Sequence, residues 1–489
     1  MQQNRVVQIV LSVFAIAAIM VGCAAATDDG GKMPITTASE KAKELYLQGR
    51  DLQERLRGTE AITYLQQAVA EDPNFAVAHL SLALTAPSPK EFFASLNKAA
   101  ALAEHASHAE RLWISGFQAG VNGDPEKQRK LYLELADAYP KDERAQNILG
   151  GFYFGQQEWD KAIAQYEKAI HINRDFSQPY NQLGYAYRFL GKFSDAEKAF
   201  KQYIKVLPAD PNPYDSYAEL LMKMGRYDDS IKNYQKALQI DPTFVASHLG
   251  IASNYNFKED GEAARRQIQV MYNGALNDGQ RRGALQAKSI SYIFEGNVEQ
   301  ALKEQEKRYA IAKSSDDVVA MSGDLGVMGN ILVEFGQPER ATEKYQESLK
   351  LIRESEQSSE QKKLAEQFHD FNLCKVAVKA GRIDQAEEHA TAFSMQAEAT
   401  NNALQIRLSH EMFGTIALNR QDYDRALTEL EQANQQDPYN FYRMAMAYEG
   451  KGDQDKAQEL YEQATYFNAL TNMNQAFVSH RSKKMMSTK

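Results

Sequence analysis

Residues 177–210 decide the fold, and they read SQPYNQLGYAYRFLGKFSDAEKAFKQYIKVLPAD. Leu183 and Tyr187 are four residues apart, so they share one face of a helix. Phe200 and Tyr203 are three apart and form the apolar face of a second helix. The stretch therefore predicts a helical hairpin. One such hairpin cannot bury both apolar faces alone, so it must stack on neighbours.

Local signals mark the ends of both helices. Gly191 is the residue type expected just beyond the first helix. Ser194 with Glu197 predicts a capping box at the start of the second helix, and Pro208 should end that helix. Gly184 is small enough to let the two helices approach closely.

The same pattern recurs at a step of 34 residues from Gly150 onward. The columns are Gly150, Gly184, Ala218 and Ala252; Tyr153, Tyr187, Leu221 and Tyr255; Ala162, Ala196, Ser230 and Ala264; Tyr166, Phe200, Tyr234 and Ile268; and Arg174, Pro208 and Pro242. A fixed period of this length predicts a solenoid in which each hairpin contacts only its neighbours.

These columns resemble the tetratricopeptide repeat family, most specifically over residues 143–278. Weaker units extend the resemblance to about twelve units over residues 42–470. It implies an all-α, right-handed solenoid whose first helices line a concave groove that binds peptide segments or partner proteins. Because the units tile nearly the whole chain, no segment is left for a catalytic domain. We therefore expect a non-enzymatic protein without a cofactor or metal.

The composition of the first residues predicts a targeting segment. Val6 to Val21 is almost continuously apolar, which is short for a bilayer span but suits a secretory signal. The run ends at Gly22-Cys23, which resembles a bacterial lipobox, in which the cysteine is acylated. Ala24 is not the aspartate that retains lipoproteins in the inner membrane. We expect a lipid-anchored protein of the bacterial cell envelope, at the outer membrane and facing the periplasm or the cell surface. The alternative is an uncleaved anchor helix.

These signals divide the chain into five segments. They are a lipoprotein signal peptide (1–22), a flexible tether (23–38), an N-terminal repeat array (39–278), a C-terminal array with longer helices or loops (279–470), and a capping helix with a basic tail (471–489).

The net charge, the cysteines and the histidines argue against nucleic-acid binding, a cysteine nucleophile and a metal site. The net charge of -9 disfavours non-specific nucleic-acid binding. Cys374 falls in a small-residue column, which predicts a buried packing thiol rather than a nucleophile. His105 and His108 are spaced to share a metal, but a third ligand is not evident nearby.

The family resemblance also places candidate partner-binding residues in the concave groove. Tyr185 and Phe189 could hold an apolar side chain, Arg188 could meet a carboxylate, and the amides could pair with peptide groups of an extended ligand. A solvated groove with incidental aromatics is the alternative, and Tyr439 with Tyr442 in the last unit is the second candidate site. The residues on the two best-matched units are Arg144, Asn147, Phe154, Gln178, Asn181, Tyr185, Arg188 and Phe189.

Together these features predict an envelope-anchored scaffold or docking module for another protein. Two alternatives stay open: a glycan- or nutrient-binding outer-membrane lipoprotein, and a regulatory subunit of an enzyme complex. The glycan alternative has little indole surface to use, because the chain contains only Trp113 and Trp159.

Overall fold

The computed structural model describes residues 31–487, which fold into 25 α-helices and one short 3-10 helix, Ala103–His105. The first fourteen helices are α1 (Glu40–Glu54), α2 (Gly58–Glu71), α3 (Ala76–Thr85), α4 (Pro89–Leu102), α5 (His108–Val121), α6 (Pro125–Ala138), α7 (Glu143–Gly155), α8 (Trp159–Ile172), α9 (Gln178–Phe189), α10 (Phe193–Val206), α11 (Pro211–Lys223), α12 (Tyr227–Ile240), α13 (Val245–Phe257) and α14 (Gly261–Asn273). The others are α15 (Asp278–Phe294), α16 (Val298–Ser314), α17 (Val318–Glu334), α18 (Pro338–Glu354), α19 (Ser359–Lys379), α20 (Ile383–Ala399), α21 (Ala403–Asn419), α22 (Tyr423–Gln432), α23 (Pro438–Gly450), α24 (Gln454–Thr465) and α25 (Met473–Ser487).

Consecutive helices pair as hairpins, which we number from unit 1 (α1 and α2) to unit 12 (α23 and α24). The last helix, α25, follows unit 12. The described residues contain no strand, so the predicted all-α solenoid of about twelve units is confirmed. Helices α15 to α21 each have 17 or 21 residues, whereas those before them have 10 to 15.

Small residues set the distance between the two helices of a unit. A Cβ on Gly184 would lie 2.5 Å from the Phe200 ring, and a Cβ on Gly150 would lie 2.6 Å from the Tyr166 ring. Both rings are fully buried. The aromatic side chain of the second helix therefore packs directly on the backbone of the first helix, as the spacing predicts.

The predicted helix ends are confirmed at two of three places in unit 5. Gly191 lies just beyond α9 with φ of 70°, and α10 ends at Val206, two residues before Pro208. The predicted capping box of Ser194 with Glu197 is wrong. Helix α10 begins two residues earlier than that box requires, because its N-cap is Lys192 rather than Ser194, and Lys192 makes no side-chain capping bond. The chain turns so tightly after Gly191 that helical geometry is already established at Phe193.

The superhelix brings units seven apart into contact. This contradicts the expectation that each hairpin touches only its neighbours. We call this line of contacts the seam. It joins the turns inside units 2, 3 and 4 to the beginning of the first helix of units 9, 10 and 11, and it joins the turn inside unit 6 to the segment between unit 12 and α25. Its hydrogen bonds include Lys90 N to Asp317 Oδ2 (3.2 Å), Gln361 Nε2 to the Val121 carbonyl (2.8 Å), Arg407 Nη2 to the Gln156 carbonyl (2.7 Å) and Lys223 Nζ to the Phe467 carbonyl (2.5 Å).

Residues 31–38 belong to the predicted tether, yet they lie against the repeats. We call them the strap. Six strap residues reach units 4, 3 and 2, which requires an extended chain. The Met33 and Ile35 side chains pack into the apolar interior of units 3–4 and units 1–2, respectively. The strap's backbone bonds run from Met33 N to Asp142 Oδ2 (2.8 Å), Thr36 N to Glu110 Oε1 (3.0 Å) and Ala38 N to Asp72 Oδ2 (3.4 Å).

Helix α25 does more than cap the last unit. Phe477 is buried in a cluster with residues of α15 and α17. Arg481 belongs to the segment predicted as a capping helix with a basic tail. It lies inside α25 and donates from Nη1 to Glu334 Oε2 at 2.9 Å and to the Tyr439 hydroxyl at 2.8 Å.

Within residues 31–487, no helix combines the length and apolarity that a bilayer span needs. The predicted signal peptide and Cys23 lie outside the described residues.

A candidate partner-binding cleft

The predicted groove residues lie on α7 and α9, and the structure brings several of them together. Asn147 donates from Nδ2 to Gln178 Oε1 at 2.8 Å, which links the first helices of units 4 and 5. The predicted interaction of Asn147 with a ligand therefore competes with this internal bond. Asn181 is 4% exposed, and its Oδ1 has no partner within the described residues.

The charged candidates are held by carboxylates of the chain itself. Arg144 forms a bidentate ion pair with Glu54 of unit 1, with Nε 2.6 Å from Oε1 and Nη2 2.9 Å from Oε2. Arg188 donates to one oxygen of Glu219 at 2.6 Å, while the Tyr185 hydroxyl donates to the other at 2.8 Å. Arg188 is only 9% exposed, so it is not free to meet a ligand carboxylate. The structure thus assigns both arginines an internal role.

A buried carboxyl lies beside this group. Asp215 accepts a hydrogen bond from Ser247 Oγ at 2.7 Å. Burial raises the pKa of Asp215 to about 7; the Ser247 bond works in the opposite direction and the nearby Glu219 charge adds to the rise. The face of units 5 and 6 is therefore a packed polar interior rather than an open groove.

Two of the predicted groove aromatics, Phe154 and Phe189, pack on each other and on Trp159. The Trp159 and Phe189 rings stack with centroids 4.8 Å apart, and Phe154 meets Phe189 edge-on at 5.6 Å. The Arg188 guanidinium lies 4.9 Å from the centre of the Phe189 ring. The second candidate site is occupied in a similar way, because Tyr439 donates to Glu334 at 2.5 Å and Arg481 of α25 covers it.

An open cleft remains between the two turns of the superhelix, where the seam is not closed. Its volume is about 610 Å³, and Gln178 is the one predicted groove residue that lines it. Leu84 is 39% exposed and Leu56 is 53% exposed, so apolar surface is accessible there. The lining comprises Gln53, Leu56, Gly58, Thr59, Ile62, Leu84, Thr85, Ala86, Pro87, Gln178, Val245, Leu249, Met271, Asn277, Gly279, Gln280 and Gly283.

The chemistry of the cleft is apolar with amide groups. None of the described lining residues is charged, and none is aromatic. The Gln178 oxygen already accepts from Asn147, and the Gln280 amide accepts from Leu276 N at 2.8 Å and donates to Thr59 Oγ1 at 3.4 Å. The NH₂ groups of Gln178 and Asn277 have no partner within residues 31–487, so they can donate to the carbonyl groups of a peptide. The cleft can therefore hold an uncharged, extended segment with apolar side chains.

Two family models match parts of the chain. One, described as TPR repeat, covers residues 150–191 and 218–255, and the other, described as tetratricopeptide repeat, covers residues 177–210 and 438–469. This chain contains tetratricopeptide repeats. The matched stretches include α9 with α10, and α23 with α24, so the repeat signal is present in both the first and second turns of the superhelix.

Curated relatives match this chain over only part of their length. Heat shock protein STI1 of Saccharomyces cerevisiae is 29% identical over 103 residues, covering 21% of this chain and 18% of the relative. Hsp70-Hsp90 organizing protein 1 of Glycine max is 24% identical over 193 residues, covering 38% and 33%. BBSome complex member BBS4 of Bos taurus is 25% identical over 142 residues, covering 29% and 27%. The chain thus spans a third or less of the length of these relatives.

Two solved structures are also similar. A tetratricopeptide repeat protein from Parabacteroides merdae has a TM-score of 0.36 and 14% identity, covering 54% of this chain and 98% of that one. The crystal structure of MamA has a TM-score of 0.28 and 21% identity, covering 32% and 93%.

Cys374 and His108 were weighed as a nucleophile and a metal ligand, and both lie in surroundings that indicate a structural role. Cys374 is 2% exposed and packs with Ala377 and Phe393, and burial raises the pKa of its thiol to about 12. The predicted packing role of Cys374 is confirmed. His108 lies 3.5 Å from Glu134, and residues 31–487 hold no group of three or more side chains suited to a metal ion.

Reasoning from the tetratricopeptide repeat pattern missed the cleft. Leu84, Val245 and Met271 come from units 2 and 7, and they approach one another only because the superhelix closes after about seven units. The repeat period does not encode that closure. The sequence pointed to the cleft only through Gln178, a predicted groove residue of unit 5 that also lines the cleft.

Proposed function

We propose that this protein is an envelope-anchored scaffold that docks a partner protein through the cleft between the two superhelical turns. The observation that carries the proposal is the lining of the cleft, which is uncharged and combines exposed Leu56 and Leu84 with the side-chain NH₂ groups of Gln178 and Asn277. Such a surface fits an extended apolar segment of a protein.

Two further points support a binding role. The relatives of this chain include proteins named as organizing proteins of Hsp70 and Hsp90, and a member of a complex. Helical hairpins fill the described chain from Glu40 to Thr465, and two family models of tetratricopeptide repeats match parts of it, which supports binding rather than catalysis as the proposed activity. Anchoring rests on the Gly22-Cys23 pattern of the sequence.

The cleft favours a protein partner over a glycan. Sugar sites rely on aromatic stacking, and the described residues that line this cleft include no aromatic side chain. A partner peptide needs apolar contacts and amide groups, both of which are present.

The test compares two leucines of nearly equal exposure. Leu84 is 39% exposed and lines the cleft, whereas Leu133 is 37% exposed on α6 and does not. We expect Leu84→Glu to abolish co-purification of the native partner while Leu133→Glu retains it, because a charge in an apolar contact must be desolvated without a counter-ion. Circular dichroism verifies that both variants are folded. Equal recovery of the partner with both variants would contradict docking in the cleft.

A further inference from the structure

Two loops of this protein carry the same sequence pattern in units 2 and 7. Asp72-Pro73-Asn74-Phe75 precedes α3, and Asp241-Pro242-Thr243-Phe244 precedes α13. Asp72 Oδ1 accepts from Asn74 N at 3.0 Å, and Asp241 Oδ1 accepts from Thr243 N at 2.9 Å.

A histidine on the following helix reinforces each loop. His79 Nε2 donates to the Pro73 carbonyl at 3.1 Å, and His248 Nε2 donates to the Pro242 carbonyl at the same distance. The two loops therefore share a fold that their common residues determine.

The loop of unit 2 binds the strap. Asp72 uses its second oxygen, Oδ2, to accept from the Thr37 hydroxyl at 2.5 Å and from Ala38 N at 3.4 Å. Ile35, two residues before Thr37, packs into the cluster that contains Phe75. Phe75 is 0% exposed. One loop thus holds an apolar residue, a hydroxyl and a backbone N–H of an extended segment.

The equivalent loop of unit 7 is open. Asp241 Oδ2 accepts no hydrogen bond within residues 31–487. Phe244 is partly exposed, unlike Phe75, and Val245 lines the cleft. The Arg57 side chain is close enough to feel the charge of Asp241, but its guanidinium is already held by Glu60 at 2.6 Å and 2.8 Å. The acceptor and the apolar contact that hold the strap are therefore present here without an occupant from the described chain.

We infer that the loop of unit 7, comprising Asp241, Phe244 and Val245, binds an extended partner segment with the chemistry of the strap. That segment carries a branched apolar residue, a serine or threonine two residues later, and a free backbone N–H at the next residue. The apolar residue packs on Phe244, and the hydroxyl and N–H donate to Asp241 Oδ2. The inference rests on the proposed function, because Val245 lines the same cleft, and it names the class of segment that enters there.

The probe is a fluorescein-labelled peptide of residues 31–39, GKMPITTAS, added to the full chain in detergent. The tethered strap keeps its own site occupied because its effective concentration exceeds that of a dissolved peptide. We expect saturable binding by fluorescence anisotropy. Asp241→Asn should weaken it at least about tenfold, because an NH₂ donor replaces an acceptor while Oδ1 can still cap the loop.

Matched controls separate this site from general charge effects. Asp228→Asn makes the same charge change on α12 and should leave peptide binding unchanged, and a peptide with Glu in place of Ile35 should not bind. Absent binding, or binding that Asp241→Asn leaves intact, overturns the inference. Self-association of the protein that Asp241→Asn abolishes would also overturn it, since the occupant would then be a second copy.

The two proposals fail separately. If the native partner depends on Leu84 but not on Asp241, docking in the cleft stands and the assignment of the loop is wrong. If the peptide depends on Asp241 while the partner ignores Leu84→Glu, the loop binds strap-like segments and the proposed cleft function is wrong.

Discussion

Gly150 and Gly151 are adjacent in α7, yet adding one methyl group to each should change the stability in opposite directions. A Cβ on Gly151 meets nothing within 4 Å, whereas a Cβ on Gly150 would lie 2.6 Å from Cε1 and 2.8 Å from Cδ1 of Tyr166. Tyr166 is 0% exposed, so its ring has no free space to move into.

The magnitudes follow from these surroundings. Replacing glycine by alanine inside a helix stabilises by about 0.5–1 kcal/mol, because the unfolded chain loses freedom. Gly151→Ala should gain that amount. Gly150→Ala gains it as well, but overpacking costs about 1–3 kcal/mol. The two variants should therefore differ by about 1–3 kcal/mol in the free energy of unfolding, with Gly150→Ala the less stable.

Urea denaturation followed by far-ultraviolet circular dichroism measures both variants against the wild type. Hydrogen exchange at the α7 amides gives the same comparison locally, which matters because repeat arrays do not always unfold in one step. Equal shifts of the two variants in the same direction would refute the packing of α7 on α8 described above.

Three other outcomes are expected. Ala196→Glu places a charge at a fully buried position between α9 and α10 and should lower the stability by several kcal/mol. The control, Gln202→Glu at an exposed position of α10, should change the melting temperature little. An unchanged melting temperature for Ala196→Glu would mean that the register is wrong. The folded-state pKa of Asp215 is raised to about 7, so its contribution to stability is complete below the unfolded pKa near 4 and is lost as the pH rises through 7. Asp215→Asn should therefore be more stable than the wild type at pH 8, and this advantage should shrink steadily as the pH falls from 7 to 4; a pH-independent difference in urea midpoint would contradict this. Radiolabelled palmitate should mark the wild type in its native host and leave Cys23→Ser unlabelled and soluble, and an unlabelled wild type would exclude the anchor.

The hairpin fold was predictable because its determinants are close in sequence. Gly184 precedes Phe200 by 16 residues, and the two meet as the helical spacing requires. The start of α10 was not predictable from Ser194 and Glu197, since the tight turn at Gly191 takes precedence over capping chemistry. Local rules thus describe each unit well and fail where two rules compete.

The groove was harder to predict, because its contents come from distant units. Arg144 has a residue type and a groove position that suit ligand binding, but it pairs with Glu54, which lies 90 residues earlier. Arg188 is neutralised by Glu219 of the next unit. A repeat pattern specifies which side chains face inward; it does not specify how tightly the superhelix winds, and the winding decides whether those side chains meet each other or a partner.

The seam changes how unfolding can spread through this molecule. In a linear array, each unit has two neighbours, so an end can fray without disturbing the middle. Here Lys90 contacts Asp317 and Lys223 contacts Phe467. A unit in the middle of the chain therefore has two kinds of neighbour: the units before and after it in sequence, and a unit of the next superhelical turn. Removing the segment after unit 12 would therefore weaken unit 6, which lies far from it in sequence. The same long-range contacts raise the contact order, so this solenoid should fold more slowly and more cooperatively than an open array of equal length.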